Sequence, residues 1–261
     1  MSKEVLGSPY KGLAYRVQIN RPEKLNAMNY SMWSSLKEEL SKACASGARV
    51  VLITGTDQAF SSGDDIESMF RLEKPEESRR FFHEILEAVE AIMRCPKPVV
   101  CEVKGLAAGG GAELLLGCDV VVASETAWVS FPEVALGLMP PFLVTFGALA
   151  LGHRRARYLA LTGSRISARE AALLGIVDEV APSSEIDSVV DDLIRTLASF
   201  PPESIAIIKR RVLESVNEAT VKDAVDELSK LALSPEAKER MKMFREHKYK
   251  PAALRGRAPP C

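Results

Sequence analysis

The strongest constraint in this chain is an apolar run too short to be a helix and without a polar face. Arg49–Thr54 reads RVVLIT. A strand of that texture has both faces covered, the habit of parallel sheets whose crossover helices lie over them. Val99–Val103 and Val120–Ala123 are further apolar strands, and Leu13–Ile19 alternates Leu13, Tyr15, Val17 and Ile19 with smaller or polar residues. Between them the period changes to that of a helix. Ser31–Ala45 carries Met32, Leu36 and Leu40, and Glu76–Met93 carries Phe82, Ile85, Val89 and Ile92 before Pro96 and Pro98 stop it. Strand, loop and helix in repetition predict an α/β fold with largely parallel strands.

From Ser184 onward the texture is helical, with segments Glu185–Ser199, Glu203–Asn217, Val221–Leu233 and Pro235–His247. A mixed body over 1–200 and a helical region over 201–261 are therefore expected, the latter ending in the basic, Pro-rich KYKPAALRGRAPPC. Hydrophobic residues make up 47% of the chain, enough to build a core. Lys and Arg total 34 against 35 Asp and Glu, which excludes the basic excess of a generic nucleic-acid binder. No apolar run approaches the roughly 20 residues of a membrane span, and MSKEVLGSPYKG has no signal-peptide core. The five cysteines are odd in number and form no CxxC pair, so neither disulfides nor a metal site is expected. Cys44, Cys95, Cys101 and Cys118 read as buried free thiols of a reduced, cytoplasmic protein.

Two loops expose backbone where a helix should begin: Gly55–Ile66 (GTDQAFSSGDDI) and Gly105–Glu113 (GLAAGGGAE). Glycines let a ligand approach neighbouring N–H groups, and at a helix start those groups are unpaired at the positive end of the dipole. Such a place stabilises negative oxygen, whether of a phosphate or of an enolate, although three glycines also suit tight helix–strand packing. GxGxxG, GxxxxGK[ST] and GxSxG are all absent, and His83, His153 and His247 sit in helical or basic segments. Carboxylates remain. Glu113 follows the third glycine by two residues, and Glu133 stands after Pro132 among apolar neighbours. An acid in such surroundings holds its proton nearer neutrality and can exchange it in catalysis.

In these segments the chain resembles the crotonase, or enoyl-CoA hydratase/isomerase, superfamily. The resemblance is carried by NRPEKLNAMN (Asn20–Asn29), AFSSGDDI (Ala59–Ile66), GLAAGGGAELLLGCDVVVAS (Gly105–Ser124), FPEVALGLMP (Phe131–Pro140) and LTGSRISAREAALLGIVDEVAP (Leu161–Pro182). It implies a spiral of ββα units with a C-terminal helical trimerisation region, assembled as trimers or hexamers. It also implies an acyl-CoA thioester substrate, coenzyme A being part of the substrate and no separate cofactor or metal being needed. Backbone N–H groups of Asp64 and Gly110 would form the oxyanion hole, and Glu113 and Glu133 would hold the water that a hydratase adds to a trans-2-enoyl-CoA. Isomerases of the family generally need only the second glutamate, and a non-catalytic acyl-CoA-binding protein is a further alternative. CoA would lie against Lys24, Leu25, Ala27, Ser62 and Ile66. The chain departs from the family pattern in having Asp64 where a small residue is common. Glu67 and His247 replace basic residues near the CoA phosphates, leaving Lys248 or Lys250 for those contacts. The bulky Phe142–Phe146 segment replaces a glycine-rich stretch and is expected to reshape the acyl pocket.

Overall fold

The computed structural model describes residues 4–248. The chain opens with a hairpin of β1 (Val5–Tyr10) and β2 (Ala14–Ile19), followed by α1 (Tyr30–Ala45). Next come β3 (Val50–Thr54), β4 (Ala59–Ser61), the short α2 (Ile66–Phe70) and the long α3 (Pro75–Arg94). A second turn adds β5 (Val99–Val103), β6 (Leu106–Ala108) and α4 (Gly110–Gly117). A third adds β7 (Val120–Ser124), β8 (Trp128–Ser130), α5 (Pro141–Val144), α6 (Phe146–Leu151) and α7 (His153–Thr162). Then follow β9 (Ile166–Ser167), α8 (Ala168–Leu174), β10 (Glu179–Ala181) and α9 (Ile186–Ser199). Helices α10 (Pro202–Leu213), α11 (Glu218–Leu231) and α12 (Pro235–Arg245) complete the described chain, and none of its helices is long and apolar enough to cross a membrane.

Each turn gives one strand to each of two sheets. The larger has the order β1-β2-β3-β5-β7-β10, parallel from β2 onward, and the smaller has the order β4-β6-β8-β9. This is the ββα spiral of the crotonase fold. The continuously apolar strands are explained by their two buried faces. Val51 and Ile53 of β3 join the main core with α1 and α3, whereas Val50 and Leu52 join a second core against Ile186, Val190 and Ile194 of α9. Covering each such side chain contributes about 1.5–3 kcal/mol, so a one-residue register slip in β3 is strongly disfavoured.

The helices after residue 200 pack back on the body. Ser78 on α3 donates to the Ser229 carbonyl at 2.7 Å, and Lys238 on α12 donates to the Met69 and Phe70 carbonyls that end α2. Two expectations are corrected. The four cysteines among the described residues are paired, Cys44 with Cys95 and Cys101 with Cys118, their Cα atoms 5.6 and 6.4 Å apart. Sequence spacing hides this, since the partners lie 51 and 17 residues apart and meet only through packing of α1, α3, β5 and α4. The Phe142–Phe146 segment does not wall the main cavity described below. Phe142 and Phe146 are buried in the core with ring centres 5.8 Å apart.

Candidate active site

The parallel strands β4 and β6 end side by side, and each runs into one of the glycine loops. Gly63 has φ +90°, and a Cβ there would lie 2.7 Å from the Ala108 carbonyl oxygen and 3.0 Å from the Gly110 nitrogen. Only glycine lets the two loops lie backbone against backbone. Asp64 pairs with Met28 in a single parallel bridge, through Met28 N–H to the Gly63 carbonyl and Asp65 N–H to the Met28 carbonyl. The N–H groups of Asp64 and of Gly110, the first residue of α4, take no acceptor among the described residues.

Asn26, to which the sequence reading assigned no role, sets the position of the first loop. Its side-chain oxygen accepts the Arg21 N–H at 2.7 Å, and its amide donates to the Ala59 and Phe60 carbonyls at 2.8 and 3.1 Å. It is fully buried and left-handed at φ +57°, a conformation asparagine tolerates better than most residues. Arg21 adds a bond to the Ala27 carbonyl and an ion pair with Asp65 at 2.7 Å. Asn26→Ala removes these three bonds, among them the acceptor of the Arg21 N–H, and is expected to destabilise the fold by about 2–4 kcal/mol, measured by chemical denaturation.

A cavity of about 700 Å³ opens over the two loops. Its polar floor is Asp64, Gly109, Gly110 and Glu133, and its apolar wall includes Leu106, Trp128, Leu136 and Leu138. Lys24, Leu25, Ala27, Ser62 and Ile66 all line the same cavity. Phe244, Arg245 and His247 close it from the end of the helical region. Arg245 stacks over the Phe70 ring at 4.3 Å and pairs with Glu67, an arrangement its ordinary place in a basic helix end could not reveal. Lys248 pairs with Glu246 at 2.6 Å, and Lys250 lies outside the described residues.

Three carboxyl groups meet at the glycine ridge. Glu133 opens the short 3-10 turn Glu133–Leu136 behind β8, and both its oxygens are buried without a partner. Burial, and then the nearby Asp64 charge, push its pKa up to about 8. A Cβ on Gly109 would stand 3.4 Å from its Oε1. Glu113, in the first turn of α4, is 4% exposed and lies behind the ridge rather than along the cavity wall. Its Oε1 accepts the backbone N–H groups of Phe142 at 2.7 Å and Leu143 at 3.0 Å, at the start of α5. Burial, followed by the Glu133 charge, raises its pKa well above the usual carboxylate range against those two donors. Asp64 accepts the Trp33 indole N–H at 2.9 Å on Oδ1, and burial pushes its pKa up to about 7. Unclaimed N–H donors beside a neutral-range acid suit proton transfer next to a carbonyl that becomes an enolate.

Over most of its length the chain is similar to known proteins. The model of the enoyl-CoA hydratase/isomerase family matches residues 10–252. The mitochondrial enoyl-CoA hydratase of Pongo abelii is 32% identical over 207 residues, covering 78% of this chain and 68% of that one. The 1,2-epoxyphenylacetyl-CoA isomerase of Escherichia coli K12 is 32% identical over 222 residues, covering 81% and 82%. The crystal structure of an enoyl-CoA hydratase from Mycobacterium avium subsp. paratuberculosis K-10 superposes with a TM-score of 0.83 at 30% identity, covering 94% of this chain and 97% of that one. With its spiral fold, its paired glycine loops and its family match over most of its length, the chain belongs to the enoyl-CoA hydratase/isomerase family of the crotonase superfamily.

Proposed function

We propose that the protein reversibly hydrates a trans-2-enoyl-CoA to a 3-hydroxyacyl-CoA. The observation that carries this reading is buried Glu113 together with the buried carboxyl oxygens of Glu133, beside the unclaimed N–H groups of Asp64 and Gly110. In this reading the thioester oxygen accepts both N–H groups. Glu113 takes a proton from water as the water oxygen bonds the β-carbon, and Glu133 gives its proton to the α-carbon. The surroundings of the two groups support this division. Burial raises both carboxyl groups; of the pair, Glu113 alone has backbone donors that favour its ionised form, whereas Glu133 has no donor from another residue. CoA enters as part of the substrate against Lys24, Leu25, Ala27, Ser62 and Ile66, with Arg245 and His247 near its anionic end.

One observation favours a second reading, isomerisation of a double bond by Glu133 alone: Glu113 Oε1 is taken up by α5 and does not line the cavity. Glu113→Gln separates the two. A hydratase loses about 10²-fold in kcat, the usual scale for a positioned acid or base, whereas an isomerase stays within about threefold. A protein that binds CoA but converts no enoyl-CoA in a chain-length panel would be a binding protein instead. In the same reading the helices after residue 200 join copies of the chain as trimers or hexamers. Helix α10 leaves Ile207, Ile208 and Val212 exposed for such a contact, and sedimentation of the purified protein tests it.

A further inference from the structure

Asp64 lines the cavity beside the glycine ridge, and its carboxyl group is set against Gly110. The carboxyl group lies over Gly110, where a Cβ would stand 3.3 Å from Oδ1 and 3.5 Å from Oδ2. It thus lies beside Gly110, which carries the second backbone donor of the proposed oxyanion hole. Oδ1 is fixed by the indole N–H of Trp33, itself fully buried on α1. Oδ2 has no partner among the described residues, and Asp64 lines the cavity.

We propose that the Asp64 carboxyl group, in its protonated form, is a third hydrogen-bond donor to the thioester oxygen, beside the N–H groups of Asp64 and Gly110. The inference rests on the carbonyl site proposed above and holds for hydration and isomerisation alike. The proton stays on Oδ2 throughout, so the group binds developing charge and transfers nothing. An ionised Asp64 would instead repel the enolate at contact distance. The charges that act on it are those of carboxyl groups: Asp65 on its own loop, Glu133 across the cavity and Glu113 behind α4. Asp65 is held ionised by the Ser68 N–H and Arg21. Burial in this company pushes the Asp64 pKa up to about 7, so the protonated form is the majority below that pH. A carboxylic acid kept neutral beside a developing oxyanion can donate where a carboxylate cannot.

The test is steady-state kinetics of wild type, Asp64→Ala and Asp64→Asn on the best enoyl-CoA of a chain-length panel, from pH 6 to pH 9. The alanine variant is expected to lose about 10–100-fold in kcat at pH 6.5 with KM within about threefold, the signature of a donor used mainly in the transition state. Asparagine keeps an acceptor for Trp33 and an N–H donor, and is expected to recover about tenfold over alanine. It should also abolish the fall in wild-type kcat as pH rises through about 7. An alanine variant as fast as wild type overturns the inference alone. So does an asparagine variant no faster than alanine, which would mean a proton is transferred or the role is structural. A wild-type protein inactive on the whole panel overturns the functional reading together with it.

Discussion

Glu133→Gln is expected to lower kcat by about 10³–10⁴-fold for either proposed reaction, since both pass the α-carbon proton through this one group. KM should change little, because the thioester is held by backbone N–H groups and the CoA contacts, not by the carboxyl group. Stability should move the other way. The folded pKa of about 8 lies above the ordinary value of 4.5, so ionisation costs stability that is intact below pH 4.5 and lost as pH rises towards 8. Glutamine cannot ionise. Between pH 5 and pH 8 the stability difference should therefore shift in favour of the variant by a few kcal/mol, read from urea midpoints at each pH. A variant that is inactive and also loses stability relative to wild type over that range would show a structural acid.

The same titration divides the two reactions. Hydration needs one proton on the Glu113–Glu133 pair, so kcat falls as pH rises through about 8. Isomerisation starts from ionised Glu133, so its rate rises through the same pH. Both limbs are best read in Asp64→Asn, where the aspartate no longer titrates and the limb moves to lower pH because the Asp64 charge is gone. A hydratase whose rate does not fall as pH rises through about 8 would remove Glu133 as the proton donor.

Much of the body was legible because the residues that build it are periodic or continuous. β3, β5 and β7 are apolar on both faces, and α3 buries Phe82, Ile85, Val89 and Ile92 on the stripe the sequence predicts. The smaller sheet was not legible. Its strands β4, β6 and β8 have three residues each, too few to show a period, and they read as loop. The β1–β2 turn hides for a different reason. Lys11 takes φ +46° ahead of Gly12, and lysine carries none of the turn signal of asparagine or aspartate. At the site, the glycine loops and Glu133 announce themselves by residue type. Asn26, Trp33 and Arg245 do not, because each acts through a contact made by distant chain: Asn26 to β4, Trp33 to Asp64, and Arg245 to Glu67. The paired amides that hold Glu113 come from a segment whose bulky side chains suggested a pocket wall, and backbone donors leave no trace in side-chain identity.

The second large effect is expected at Gly63. A methyl group there would lie 2.7 Å from the Ala108 carbonyl oxygen and 3.0 Å from the Gly110 nitrogen, both backbone atoms that cannot turn aside. Gly63→Ala must push the two loops apart, which moves the Asp64 and Gly110 N–H groups off a common oxygen. One misplaced donor costs about 3–4 kcal/mol of transition-state stabilisation, so partial loss of two should lower kcat about 10³-fold. The backbone at φ +90° adds strain of its own, which must be separated from the clash. Gly12, in the β1–β2 turn, supplies the comparison: its φ is +71° and a Cβ there meets nothing within 4 Å. Gly12→Ala should cost about 1–2 kcal/mol in stability and leave kcat at the wild-type value. If Gly63→Ala loses no more activity than Gly12→Ala, the contact between the loops does not set the donors, and the thioester oxygen must be held elsewhere. If it loses the expected 10³-fold while remaining folded by circular dichroism, the close approach of β4 and β6 is what turns two ordinary strand ends into a site for negative charge.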